Sequence, residues 1–236
     1  MKKLTKQHAL SDGLAVYRRL QSDDQDSVRL LTVEDLIAIA QRLTPAEVKE
    51  QLLKQIRQTV SDKSWRVRYM AATHFNEVRS LVSRPCSPST FCRKLAEAVG
   101  QDLVREELIG HYVQLLKDNE AEVRTAASGQ IPGAWFVIGC HQDIDGSPGF
   151  SKLLEKEVIL LRIVPCVRDL CQDTSQHVRA ALATQISGLA PLLGKQHTIE
   201  HLLPLFLHLL KDEFPEVRLN IISKLDQVNT GRFRLV

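Results

Sequence analysis

The chain has 236 residues, 44% of them hydrophobic, 25% charged and 5% aromatic, which is enough apolar material for a sizeable core and excludes a disordered or collagen-like polymer. Its 31 Lys and Arg against 28 Asp and Glu leave a net charge of +3, too small to argue by itself for a phosphate-binding surface. No apolar run approaches the roughly 18–20 residues of a membrane span, because Arg162 interrupts the stretch 158–167, and residues 5–12 supply no signal-peptide core behind Met1-Lys2-Lys3, so a soluble, intracellular protein is expected.

The first unit, about 1–43, sets Asp23 five residues before Val28-Arg29 and Leu36 eight residues after the valine. The second, about 44–82, opens on Thr44-Pro45-Ala46-Glu47, which offers an N-cap, a proline at the first helical position and the Glu of a capping box. It repeats the pattern with Asp62, Val67-Arg68 and Phe75. An irregular stretch at about 80–94 follows, with Pro85, Pro88, Cys86, Cys92 and four serines, and it reads as loop. The third unit, about 95–133, carries Asp118, Val123-Arg124 and Ile131, near which its second helix is expected to stop. A second irregular stretch, about 129–150, holds five of the eleven glycines and the apolar run Ala134-Trp135-Phe136-Val137-Ile138. Asp143-Ile144-Asp145-Gly146 within it resembles part of a calcium loop but lacks the third acidic position and the closing Glu, so no calcium site is expected. The fourth unit, about 152–194, contains Pro165, Asp173, Val178-Arg179 and Ile186 and closes on Gly194, a suitable helix end. The fifth, about 195–229, offers helix starts at Thr198 and Pro215 around Pro204, Asp212, Val217-Arg218 and Leu225.

These units are copies. Val-Arg recurs at intervals of 39, 56, 55 and 39 residues, each time with the aspartate five before and the large apolar residue eight after. At typical Asp usage five such coincidences at one offset are rarer than about one in a million, so the period is real, and the two longer intervals mark insertions into it. Apolar residues at helical spacing, such as Leu202, Leu203, Leu205, Phe206, Leu209 and Leu210, precede each aspartate, and Ala, Leu and Ile follow each Val-Arg. Each unit therefore reads as two helices with the Asp and Arg at the turn between them. A lone helical hairpin cannot bury its apolar stripe, so the copies must stack into an all-α, right-handed solenoid of about five hairpins. Pro165 and Pro204, each thirteen residues before its valine, are expected to bend the first helix by removing a backbone donor. Stacked turns would align Asp23, Asp62, Asp118, Asp173 and Asp212 with Arg29, Arg68, Arg124, Arg179 and Arg218 as a ladder of hydrogen bonds between repeats.

Two-helix units with Pro, Asp, Val and Arg at these offsets resemble HEAT repeats. The strings Asp62-Lys63-Ser64-Trp65-Arg66-Val67-Arg68-Tyr69-Met70, Glu120-Ala121-Glu122-Val123-Arg124, Gly194-Lys195, Thr198-Ile199-Glu200-His201-Leu202-Leu203-Pro204-Leu205-Phe206 and Pro215-Glu216-Val217-Arg218-Leu219-Asn220-Ile221-Ile222-Ser223 closely resemble the scaffold (A) subunit family of protein phosphatase 2A. The resemblance covers about 23–81, 95–127 and 158–229, roughly two thirds of the chain. It implies a non-enzymatic scaffold from the centre of a family with about fifteen such repeats. In that family the intra-repeat turns of the earlier repeats hold a regulatory (B-type) subunit, and the catalytic subunit docks on the last repeats. Carried onto this sequence, the expected partner contacts are the turn Asp62, Lys63, Ser64, Trp65 and Arg66, where a large ring meets a planar cation, with Glu120, Glu122, Glu213 and Glu216 on the acidic turns. Packing of Trp65 between repeats and solvation of the glutamates are the alternative readings of these residues.

The irregular stretches fit either surface loops or a gene model that read through introns. The family's early and late repeats and any capping unit are missing, which reads as a fragment that can still contact a regulatory subunit; an uncovered last helix bearing Ile221, Ile222, Leu225 and Val228 would expose apolar surface. No catalytic motif occurs: GxSxG, Walker, GxGxxG and HExxH patterns are all lacking. Cys86, Cys92, Cys140, Cys166 and Cys171 form no CxxC pair and read as free thiols, and His201 and His208 share a helix face without a third ligand, so neither a metal nor another cofactor is expected. The expected partner is a phosphatase regulatory (B-type) subunit; the catalytic subunit, a partner throughout the family, is not expected on a fragment without the last repeats, nor is nucleic acid or a membrane, and the expected location is the cytoplasm with access to the nucleus. The other class to weigh is a generic HEAT-type adaptor for transport or nucleic-acid assemblies, in which the arginine row would face a ligand.

Overall fold

The computed structural model describes residues 12–40, 43–74, 101–131, 157 and 159–230, and every regular element among these residues is helical. The chain divides into two compact units, the first ending at Leu115 and the second beginning at Leu116. Most of the two irregular stretches, with Cys86, Cys92, Cys140 and the calcium-like tetrapeptide, lies outside the described residues, as does Phe75.

In the first unit, α1 (Leu14–Gln21) pairs with α2 (Asp26–Ala40) and α3 (Pro45–Val60) with α4 (Trp65–Thr73), ahead of α5 (Gln101–Leu116). Spacing sets the buried faces. Leu14, Tyr17 and Gln21 face inward on α1, and Leu52, Ile56 and Val60 do so on α3, at three- and four-residue steps. The α2 helix is covered on most sides, burying Thr32, Val33, Leu36, Ile37 and Ile39, because α1, α3 and α4 all pack against it. Polar groups at the α1–α3 contact are paired: the Gln21 amide donates to the Gln55 carbonyl at 2.8 Å and to Thr59 Oγ1 at 3.0 Å. The start of α3 carries the capping box, with the Thr44 amide donating to Glu47 Oε2 at 2.8 Å and the Glu47 amide to Thr44 Oγ1 at 3.4 Å.

The second unit contains α6 (Ala121–Gly129), α7 (Val164–Cys171), α8 (Gln176–Gln185), α9 (Ala190–His197), α10 (Leu203–Leu209) and α11 (Pro215–Thr230). The α6 helix ends at Gly129 with Gln130 as its cap, close to the expected stop near Ile131. Second helices stack on second helices: α8 packs against both α6 and α11, while α7 lies on α10. This places Val178, Leu182, Ala183, Ile186 and Leu189 in a fully buried stripe that runs from α8 through the 3₁₀ turn Ile186–Leu189.

Pro165 and Pro204 each sit at the second position of their helix, and each is preceded by a π-helical turn, Ile159–Ile163 and Thr198–Leu202. A proline cannot donate to the preceding turn and its ring crowds the carbonyl four residues back, so the backbone widens there. Gly194 interrupts α9 with φ 77° and ψ 169°, a region open essentially to glycine alone. The last helix of the fourth repeat therefore ends at Leu193, and the next begins directly after Gly194. Thr198, expected at a helix start, lies one turn inside it, buried, its hydroxyl donating back to the Ala190 carbonyl at 3.2 Å. Gly194→Ala is expected to lower stability by about 1–3 kcal/mol, read as a fall in thermal midpoint. Gly110→Ala, inside α5 with open space around the added methyl, should be neutral or slightly stabilising.

Cys166 and Cys171 are free and buried. The Cys166 thiol donates to the Arg162 carbonyl at 3.2 Å, and burial pushes the Cys171 thiol up to about 12, so it stays an unreactive core sulfhydryl. No helix among the described residues is long and apolar enough to cross a membrane.

Candidate partner-docking turns

All five turns share one construction. The aspartate side chain accepts from the amide two residues on, closing an Asx turn: Gln25 to Asp23, Ser64 to Asp62, Glu120 to Asp118, Ser175 to Asp173 and Phe214 to Asp212, at 2.8–3.0 Å. The arginine six residues after each aspartate donates Nη1 to that aspartate's own carbonyl, from Arg29, Arg68, Arg124, Arg179 and Arg218 alike, at 2.6–2.8 Å. Arg29, Arg124 and Arg179 also reach the next repeat with a two-pronged bond. Arg29 Nε and Nη2 donate to Asp62 at 2.9 Å each, Arg124 to Asp173 at 2.7 and 3.0 Å, and Arg179 to Asp212 at 2.6 and 3.1 Å. Each of these three guanidiniums thus clamps its own turn with one nitrogen and the following turn with the other two.

Electrostatics follow from this geometry. Burial works to raise the Asp62 carboxyl, but the Arg29 hydrogen bond, the Ser64 amide and nearby Lys63 outweigh it and hold it below its usual value. Asp212 is held down against burial in the same way by Arg179, the Phe214 amide and His208. The hydrogen bond that each donates to its aspartate raises Arg29, Arg124 and Arg179, so these stay charged.

Of the expected contact residues, Asp62 and Ser64 are engaged inside the stack, Asp62 by Arg29 and Ser64 through a 2.9 Å bond from its hydroxyl to Asp26. Lys63 lies in the turn and Trp65 and Arg66 at the start of α4, with Trp65 39% exposed. The Arg66 guanidinium lies 5.9 Å from the Trp65 ring centre, and Tyr69 meets Trp65 edge-on at 6.5 Å. Tyr69 carries no mark in the repeat pattern, although a four-residue step from Trp65 puts both on one helix face. Glu120, Glu122, Glu213 and Glu216 lie toward solvent on their turns; Glu213 comes within 3.7 Å of Arg179, and Phe214 lies over the same guanidinium at 5.4 Å. The Asx turn and the Nη1 bond recur in each turn while its outward residues differ.

Residues 101–135 and 147–194 match the PPP2R1A-like HEAT repeat, and residues 202–229 match the general HEAT repeat. The matched stretches are thus similar to HEAT repeats. Among curated proteins, the beta isoform of the human serine/threonine-protein phosphatase 2A 65 kDa regulatory (A) subunit is 46% identical over 136 residues, covering 58% of this chain and 21% of the relative. The mouse protein of the same name is 64% identical over 69 residues, 29% of this chain and 12% of the relative. The protein phosphatase PP2A regulatory (A) subunit of Schizosaccharomyces pombe is 44% identical over 105 residues, 44% of this chain and 15% of the relative. The chain thus spans about a fifth, or less, of the length of these relatives. Between the two segments of the PPP2R1A-like match, residues 136–146 are unmatched, inside the stretch expected to interrupt the third unit.

Proposed function

We propose that this chain is a non-enzymatic HEAT-repeat scaffold of a serine/threonine protein phosphatase 2A complex, working in the cytoplasm and nucleus, and that it holds a B-type regulatory subunit through its intra-repeat turns. What carries the reading is the match of its repeats to the 65 kDa regulatory subunits, in a chain whose Trp65, Arg66 and Tyr69 form an exposed aromatic and cationic cluster on a braced turn. Such residues are the usual anchors of protein interfaces, and bracing lowers the ordering entropy lost on binding. The adaptor reading with a phosphate-facing arginine row is disfavoured, because Arg29, Arg124 and Arg179 already use Nε and both Nη atoms within the stack.

Trp65→Ala combined with Arg66→Ala is expected to weaken binding of a purified B-type partner by more than about 1 kcal/mol with the melting curve unchanged. Calorimetry gives both numbers, and an unaltered affinity would remove this turn from the interface. In about 200 mM salt the parent should retain that partner and show no nucleic-acid binding; the reverse pattern would favour the adaptor.

A further inference from the structure

We propose that His197, Glu200 and His201 form a surface site for a divalent transition-metal ion of the zinc class. His197 ends α9, and Glu200 and His201 lie in the π-helical turn Thr198–Leu202, so steps of three and four residues bring all three to one side of the helix. A spacing of four is the one by which helical histidine pairs hold zinc. One donor atom from each residue lies within 4.8 Å of the other two, and His201 Nε2 is 3.9 Å from Glu200 Oε2. Tetrahedral zinc with bonds of about 2.0–2.2 Å needs its donors roughly 3.3–3.5 Å apart, so the cluster closes with movements of about 1 Å. The side chains have that freedom, Glu200 being 58% and His201 27% exposed.

The two imidazoles stack with centres 5.8 Å apart and 15° between planes. Imidazole binds a metal in its own plane, so loading turns one ring about its soft Cβ–Cγ torsion. A second observation is independent of the spacing: His197 Nδ1 is buried with no hydrogen-bond partner among the described residues, and ligation of the ion through Nδ1 would satisfy it. Two neutral imidazoles and one carboxylate select zinc-like ions over calcium or magnesium and leave the fourth position to water. Helical spacing in the sequence pairs His201 with His208; the structure instead groups His201 with residues on its N-terminal side.

The test titrates the full chain with Zn²⁺ by calorimetry and with Co²⁺ by visible absorption. One saturable equivalent is expected, weakened at least about tenfold in Glu200→Gln and in His201→Asn, with added Zn²⁺ raising the thermal midpoint of the parent more than that of either variant. Glu200→Gln keeps both rings in place, so its weakening cannot come from lost folding, and circular dichroism checks His201→Asn. The site is overturned by unchanged affinity in both variants, by no saturable binding to the parent, or by a Co²⁺ spectrum dominated by thiolate charge transfer, which would assign the ion to cysteines.

Discussion

Val67→Asp is expected to destabilise the first compact unit by about 3–5 kcal/mol, a large part of the roughly 5–15 kcal/mol that holds an ordinary domain together. Val67 is 2% exposed on α4, which packs on both α2 and α3, so the carboxylate would enter apolar surroundings. The remedies are to protonate it or to pull α4 away from its neighbours, and each carries a cost of that order. The repeat supplies its own control: Val28 occupies the same motif position but is only partly buried, so Val28→Asp should cost less. Thermal and urea unfolding of the parent and both variants decide the matter. A midpoint for Val67→Asp equal to the parent's would place Val67 outside the core.

That contrast shows what a repeat signal conveys and what it leaves out. The offsets of Asp, Val and Arg are readable because each serves the same geometric task in every turn, and equal tasks leave equal residues. Thr44 to Glu47 is readable because a capping box is a local arrangement. Thr198 looks like a helix start but is not one, because Gly194, through a backbone conformation that only glycine tolerates, lets the helix begin earlier, and the π turn before Pro204 then carries the threonine inside. Whether a repeated valine is buried depends on the neighbouring repeat, and the sequence of one unit does not contain its neighbour. Trp65 and Arg66 stand out by residue type alone. Tyr69 and the grouping of His197 with Glu200 depend on helix phase and ring orientation, which sequence conveys only once the helix boundaries are known.

Asp212→Ala should be nearly as damaging, about 3 kcal/mol, because it strands a charge. Arg179 Nε donates to Asp212 Oδ2 at 2.6 Å, with side chains only 10% and 6% exposed, so removing the carboxylate leaves a buried guanidinium still held to the Asp173 carbonyl. Glu213, 3.7 Å from Arg179 Nη2 but 77% exposed, can compensate in part, which sets the expectation at the lower end of the range for broken buried pairs. Asp212→Asn keeps an acceptor for the Phe214 amide and for Arg179, so its loss should be smaller; an equal loss would mean that charge, not the hydrogen-bond frame, holds the turn. Acid discriminates further. The Asp212 and Asp62 carboxyls are held below their usual value in the folded chain, so between the unfolded value near about 4 and the lower folded one the unfolded chain binds more protons. Their contribution is therefore complete above about pH 5 and is lost as pH falls through the folded values. Removing Asp212 must flatten that acid limb while leaving Asp62's share in place. Urea unfolding of the parent and Asp212→Ala across about pH 3–7 would show the two stability curves converging toward the acid end, and parallel curves would mean that the clamp does not couple folding to the ionisation of Asp212.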